Sequence, residues 1–435
     1  MTVQKLQTSL HEKAKAHPSY RFYALWDKVY RADVLREAWR RCRANGGAPG
    51  IDGQRFEDIE AMGVQEWLCD LQEELRTRRY RTQPLLRVWI PKASSGERPI
   101  GIATIRDRVA QTALTLVLGP IFEADLPGEQ YGFRPDLGAK MALRRVYFHV
   151  TRSGRSEVVD ADLSDYFNTI PHGPLMKCVA RRVSDGRVLT LIKQWLIAPV
   201  VEREGRREQR TAEARRRSRG VPQGGSVSPL LANLYFRRFV LAWRRSTEAR
   251  ATHGAIVNYA DDLVICCRPG TGDVAMAKMR ELMTRLGLEV NERKTRLSRL
   301  PEERFDFLGY TVGRFYGKDG VPFIGTAPSK KSVQRVCQKI HDETSPRWRT
   351  TTIEKRVLEV NRILRGWCEY FNQGPVTRAY ILIRRYTERR IRRWLMRKHK
   401  RRGTGYRQYP DQYLYQVLGL YKPMAPSRGQ PRAKS

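Results

Sequence analysis

The sequence predicts an α+β fold, and three observations carry that prediction. Val158-Val159, Ile256-Val257 and Leu263-Val264-Ile265 are short aliphatic runs bounded by polar residues, the pattern of buried strands. Ile105 to Leu118 and Leu230 to Trp243 are apolar over helical lengths, and residues 353–402 read as helical. Strands and helices do not alternate regularly, and no segment of roughly 20–50 residues repeats.

The N-terminal stretch MTVQKLQTSLHEKAKAHPSY has no apolar centre, so no signal peptide is expected. At roughly 100–200 residues per domain, 435 residues make two to four domains, and 41% hydrophobic content suffices for their cores. The most apolar stretch, Val188 to Val201, is interrupted by Lys193 and Gln194 and falls short of the ~18 residues of a membrane span. Glu202 to Arg219 is almost wholly polar and charged, so a solvated helix or loop is expected, with RNA contact as the alternative. Within 353–402, Tyr380, Ile383, Ile391 and Trp394 form an apolar seam. Arginines crowd the other faces, and Arg384, Arg385, Arg389 and Arg393 are candidates for phosphate contact rather than plain solvation. Gly403 to Ser435 reads as a short basic tail whose last ten or so residues are expected to be disordered.

Charge narrows the partner. Lys+Arg number 82 against 45 Asp+Glu, a formal charge of +37. From Ala327 onward the balance is 27 against 7. Solubility needs only about 2–8 charges in a small domain, so a polyanion is implied, and without a membrane segment that polyanion is nucleic acid. The seven cysteines contain no CxxC pair, which argues against a disulfide framework or a zinc module and for a reducing cytoplasm.

The chemistry is carried by the few acids. Asp261 and Asp262 follow Asn258-Tyr259-Ala260 between two apolar runs, a strand–turn–strand junction. Adjacent carboxylates there repel unless neutralised, and hard oxygen ligands suit Mg²⁺; an Asp-Asp turn chosen for its propensity is the plainer alternative. Val158-Val159-Asp160-Ala161-Asp162-Leu163 alternates, so Asp160 and Asp162 share one strand face. If that strand lies beside the hairpin, three carboxylates converge. Two Mg²⁺ ions about 3.5–4 Å apart could then activate a 3′-hydroxyl and stabilise a leaving pyrophosphate.

These residues also carry a resemblance. YADD at 259–262, VDADLSDYFNTIPH at 159–172 and GVPQGGSVSPLLANLYF at 220–236 resemble the palm boxes of the reverse transcriptase/maturases encoded by group II introns. NGGAPGIDG at 45–53, VWIPKASSGERPIGI at 88–102 and YGFRPDLGAKMAL at 131–143 are similar to the blocks that precede them. GLEVNERKTRLS at 287–298, FDFLGYTV at 305–312 and RGWCEYF at 365–371 are similar to those that follow. Eight or more blocks in order are far more specific than YADD alone.

The resemblance implies a right-hand polymerase with a helical thumb/maturase domain. It divides the chain into an N-terminal extension and block (1–80), fingers and palm (81–325), thumb/maturase (326–402) and tail (403–435). It makes Asp162, Asp261 and Asp262 the holders of two Mg²⁺ ions, with Mn²⁺ as a substitute, and leaves Asp160 structural. Phe167, five residues after Asp162, becomes the gate that excludes a 2′-hydroxyl. Lys92 and Arg98 would hold the triphosphate, Gln223 would pack on the nucleotide, and Lys294 would lie near the active site. Arg134 would meet template or nucleotide, with a structural tie as the equal alternative.

The implied function is RNA-directed DNA synthesis together with binding of the parent intron RNA and help in its splicing and mobility. The implied partners are intron RNA, RNA template, DNA primer or target and dNTPs, in a nucleoid-associated ribonucleoprotein. The lack of paired cysteines after Cys368 implies a member without an endonuclease module. A splicing factor without polymerase activity, a reverse transcriptase serving defence or repair, and an RNA-dependent RNA polymerase are the competing readings. The sequence leaves the oligomeric state open.

Overall fold

The computed structural model describes residues 2–91, 97–204, 207–210, 218–317 and 319–425. Three sheets organise it. β1 (Leu85–Pro91) and β2 (Glu97–Ile102) pair antiparallel. The expected strand at 158–159 becomes β3 (Glu157–Asp162). β4 (Val200–Glu204) runs parallel to β1, and β5 (Arg207–Arg210) pairs antiparallel with β4, giving the order β2-β1-β4-β5. β6 (Ala255–Tyr259) and β7 (Asp262–Cys267) are the strands flanking the Asp-Asp turn. With β8 (Arg296–Arg299) they form the second sheet, ordered β6-β7-β3-β8. β9 (Phe305–Phe307), β10 (Tyr310–Tyr316) and β11 (Pro322–Pro328) form the third, with β10 central. The order of the second sheet meets the condition set above, because the acidic strand β3 lies directly beside β7.

Contacts divide the chain into two units. The first comprises Met1–Ala139, Ala161–Ile265 and Asp273–Arg296. Its central helix, Ile105–Glu123, is apolar on most faces and correspondingly buried on most, as a core helix must be. Thr104 caps it by accepting from the Asp107 amide, and buried Asp107 accepts from the Tyr80 hydroxyl and the Gln83 amide. The helix Ser228–Arg245 begins with proline in its first turn and buries Leu231, Tyr235, Phe236 and Phe239.

The second unit comprises Lys140–Asp160, Cys266–Gly272 and Leu297–Ser435. Its core packs Val336 and Ile340 of the helix Lys330–Glu343, Val360 and Leu364 of Ile353–Tyr370, and Ile383, Ile391 and Trp394 of Thr377–Lys398. The expected seam of the last helix is thus its buried face.

Two expectations are corrected here. Residues 202–204 and 207–210 are strands, not a solvated helix or loop. Buried Val200 and Val201 anchor β4 beside β1, and a sheet edge asks only for backbone pairing, so charged side chains are tolerated along it. Residues 211–217 lie outside the described residues. The segment after 402 is not simply a tail, since Tyr409, Leu414 and Leu420 are buried in the helical core. The last ten residues, expected to be disordered, lie outside the described ones. Contact also groups Lys140–Asp160 with the chain after Leu297. In that unit Lys140 donates to the Glu369 carbonyl at 2.6 Å.

Candidate active site

The turn joining β6 to β7 holds Ala260 and Asp261, with Ala260 at φ +58°. A non-glycine residue in this conformation costs roughly 1–2 kcal/mol and needs support from its surroundings. Buried Asn258 supplies some of it by donating through Nδ2 to the carbonyls of Ala260 (2.8 Å) and Asp262 (3.1 Å). Asn258 is itself held by backbone bonds in both directions, its amide to the Glu129 carbonyl and its carbonyl from the Tyr131 amide, each 2.8 Å. Gly132 comes so close that a Cβ there would collide with the Ala260 nitrogen. Asn233 donates to the Gly132 carbonyl at 2.7 Å, and Gln130 donates to the Asn233 carbonyl at 3.0 Å.

On β3, Asp162 is fixed by the turn after residue 290. The Asn291 amide donates to its carbonyl (2.8 Å), its own amide donates to Thr295 Oγ1 (3.3 Å), and Lys294 Nζ sits 3.0 Å from its Oδ2. Asp262 keeps solvent access at the strand end, yet it sits in a crowded concavity. Lost hydration first, then the charges of Asp261 and Asp162, push its carboxyl up to about 7, while Lys294 opposes the rise. The three carboxylates therefore share one electrostatic neighbourhood, and of the two β3 acids Asp162 is the one that faces Lys294.

Among the described residues, no three His, Cys, Asp or Glu side chains stand together at metal-holding spacing. The chemistry of the donor set nonetheless fits divalent cations. It offers hard oxygen ligands, one of them, Asp262, with its carboxyl raised first by lost hydration and then by its like-charged neighbours, so that a cation there would be welcome.

The reverse transcriptase (RNA-dependent DNA polymerase) family matches residues 90–312, and the group II intron maturase-specific domain matches 333–413. The chain belongs to the group II intron reverse transcriptase/maturase family. It is 32% identical to Protein YkfC of Escherichia coli over 369 residues, covering 76% of this chain and 94% of that one. It is 29% identical to the group II intron-encoded protein LtrA of Lactococcus lactis, over 51% of this chain and 35% of that protein. A 91 kDa protein in the cob intron of Schizosaccharomyces pombe is 23% identical over 82% of this chain and 52% of its own length. The chain thus spans a third to a half of these two intron proteins. Reverse transcriptases generally use divalent metal ions.

In this reverse transcriptase, Phe167 is half-buried just after β3. Its ring meets Tyr166 at 5.7 Å and Phe133 at 6.3 Å, both edge-on. The Val221 amide donates to its carbonyl at 2.7 Å, which ties the 220–225 loop to it. Gln223 Nε2 donates to Asp165 Oδ1 at 3.4 Å, and Asn168 donates to both oxygens of Asp165 at 2.9 Å. Gly224, at φ +108°, lets this loop lie against β2, where a Cβ would stand 2.8 Å from the Gly101 carbonyl oxygen. A cavity of about 350 Å³ opens between Arg87, Trp89, Asp165, Asn168, Arg219 and Gln223.

The structure sorts the remaining candidates. Lys92 lies outside the described residues. Arg98 is exposed on β2, on the strand face opposite Pro99 and Gly101, so it does not line the cavity that Gln223 lines. Arg134 is corrected to a structural tie. Its guanidinium donates to Glu123 (2.5 and 2.9 Å), the Pro127 carbonyl (2.7 Å) and the Gln130 carbonyl (2.8 Å), which occupies its fork. Arg385, Arg389 and Arg393 are exposed at four-residue intervals, with Arg397 continuing the stripe, while Arg384 is half-buried 3.7 Å from Glu388.

Sequence reasoning missed Gln130, Gly132, Asn233, Asn258 and Asp165 as supports of the site. Gly132, Asn233 and Asp165 stand in blocks already singled out, Asn258 adjoins YADD, and Gln130 lies just before its nearest block; the Gln130–Asn233 and Asn233–Gly132 pairings join residues about 100 apart and leave no local signal.

Proposed function

We propose that this chain is an RNA-directed DNA polymerase that adds dNTPs to a primer 3′-hydroxyl, and that it also binds its intron RNA and assists splicing and mobility. The observation that carries this reading is the shared neighbourhood of Asp162, Asp261 and Asp262 at the end of two adjacent strands, with Lys294 on Asp162. Asp162, Asp261 and Asp262 would hold two Mg²⁺ ions, or Mn²⁺ in their place, which supply Lewis-acid stabilisation of the attacking and leaving oxygens. Phe167 bounds the sugar side of the nucleotide site and excludes a 2′-hydroxyl. Gln223, positioned by Asp165, packs on the incoming nucleotide, and Lys92 binds its triphosphate as a point charge, whereas Arg98, on the strand face turned from that cavity, is not assigned to it. Lys294 balances the charge of Asp162. The exposed arginine stripe from Arg385 to Arg397 contacts RNA phosphates.

Primer extension on an RNA template with Mg²⁺ tests the polymerase directly. Asp261→Ala should reduce cDNA synthesis about a thousandfold or more, in keeping with loss of several kcal/mol of charge stabilisation. Intron RNA binding and splicing should persist, because those tasks use other surfaces. If the unaltered chain binds intron RNA but extends no primer, it is a splicing factor alone. If Asp261→Ala loses both activities while still folded, the separation of tasks is wrong.

A further inference from the structure

The second unit carries a groove lined by none of the residues assigned above to polymerisation. The helix Ala139–Arg152 forms one wall, β11 the other, and residues 373–375 close it, around a cavity of about 270 Å³. Gly374 is at φ +74°, and a Cβ there would collide with the Thr326 carbonyl, so the closing loop and strand meet at backbone contact.

Three features of the groove point to one kind of ligand. Two aromatic rings line it while remaining open to solvent, Tyr147 at 40% and Phe323 at 41% exposure. Gly325 permits this arrangement, since a Cβ there would stand 2.8 Å from Phe323 Cε2 and 3.1 Å from Phe315 Cδ2. The charge is one-sided as well. Arg144 lines the groove without an ion-pair partner among the described residues, and no carboxylate lines it. Next along the helix, Arg145 stands 5.3 Å over the ring of exposed Phe148. Finally, Gln373 lines the groove at 6% exposure and leaves its Nε2 without a hydrogen-bond partner. A buried donor left unpaired is unfavourable, and an acceptor on a ligand would satisfy it.

We propose that this groove docks an unpaired nucleotide of single-stranded RNA. The base stacks on Tyr147 and Phe323, the phosphate meets Arg144, and the Gln373 amide donates to an oxygen of the base or ribose. Solvent-facing rings, unpaired cations and a waiting donor together form a platform for a single strand, whereas a protein partner would need acids of its own to face Arg144. The proposal rests on the preceding reading only in taking RNA as the available partner.

The test uses the full chain and a single-stranded RNA of about twelve nucleotides carrying 4-thiouridine. Irradiation should cross-link Tyr147 or Phe323, identified by peptide mapping. Tyr147→Ala combined with Phe323→Ala should weaken binding roughly tenfold, while Tyr147→Phe, which keeps the ring, should bind as the unaltered chain does. Gln373→Met should weaken binding a few-fold. Primer extension on a pre-annealed template–primer should be unchanged in every variant. Cross-links confined to other peptides, with affinity unchanged in the double variant, overturn the proposal. So does a loss of RNA binding that appears only together with loss of primer extension, since the oligonucleotide would then have been held by the polymerase site. Self-association of the chain that Tyr147→Ala abolishes, with RNA binding intact, would assign the groove to a second copy and also overturn it. Failure of the unaltered chain to extend a primer counts against the polymerase reading instead.

Discussion

The Asp-Asp turn and the arginine-rich helix Thr377–Lys398 pose the same problem, clustered like charge, and solve it in different ways. At the turn, Asp261 and Asp262 share an electrostatic neighbourhood with Asp162 of β3, Asn258 and Gly132 hold the turn's backbone, and Lys294 pairs with Asp162. Along the helix, the charges are dispersed by the helical period. Arg385, Arg389, Arg393 and Arg397 face solvent, while Arg390 and Arg392 turn inward and become structural. Arg390 donates to Thr344 Oγ1 at 2.9 Å and to the Thr344 carbonyl at 3.1 Å. Arg392, at 1% side-chain exposure, donates to the Tyr409 carbonyl at 2.8 Å and pairs with Asp411. Concentrated charge marks a reaction site only where the fold commits neighbours to keeping it concentrated. Dispersed charge marks a surface, and some of its members belong to the core.

This contrast can be broken most sharply at Arg392. Arg392→Ala should destabilise the protein by about 3 kcal/mol in denaturant unfolding, because it removes a buried side chain and its hydrogen bonds. Stability close to that of the unaltered chain would mean that the inward arginines are as dispensable as the outward ones.

The next effect concerns the turn. Gly132→Ala places a methyl group against the Ala260 nitrogen, so overpacking of about 1–3 kcal/mol must be relieved by moving the β6–β7 hairpin. Primer extension should fall about tenfold or more while RNA binding holds. Unchanged kcat would show that the hairpin does not depend on this contact.

A smaller effect comes from His149. Burial first, then Arg145 and Arg155, hold its imidazole down at about 4 against an ordinary value of 6.5. The native state therefore favours the neutral ring. That stability is fully present above pH 6.5 and is lost as pH falls toward 4, at up to ~1.4 kcal/mol per pH unit. His149→Gln should flatten unfolding free energy measured across that window, and an unchanged slope would sink the assignment.

Smallest for stability is Arg393→Ala, expected within about 0.5 kcal/mol of the unaltered chain. The same change should lower the slope of log affinity for RNA against log salt by just under one, as loss of one phosphate contact requires. An unchanged slope would remove Arg393 from the RNA surface.

The sequence by itself determined element types. Alternation around Asp160 and Asp162, and two aliphatic runs flanking Asp261 and Asp262, were enough to define the strands. The family resemblance, through the spacing to Phe167, is what puts Asp162 rather than Asp160 in the proposed site. These features are legible because each depends on residues within about ten positions of one another. The support of Ala260 by Asn258 and Gly132, the use of Arg134 and Arg392 as ties, and the pairing of polar β4 and β5 at a sheet edge were settled only by tertiary structure. So was the burial of Leu414 and Leu420 beyond the expected end of the helical domain. In each case the deciding partner is distant in sequence or is a backbone group. An arginine reads the same in the chain whether it will meet a phosphate, a carbonyl or water, and only packing chooses among them.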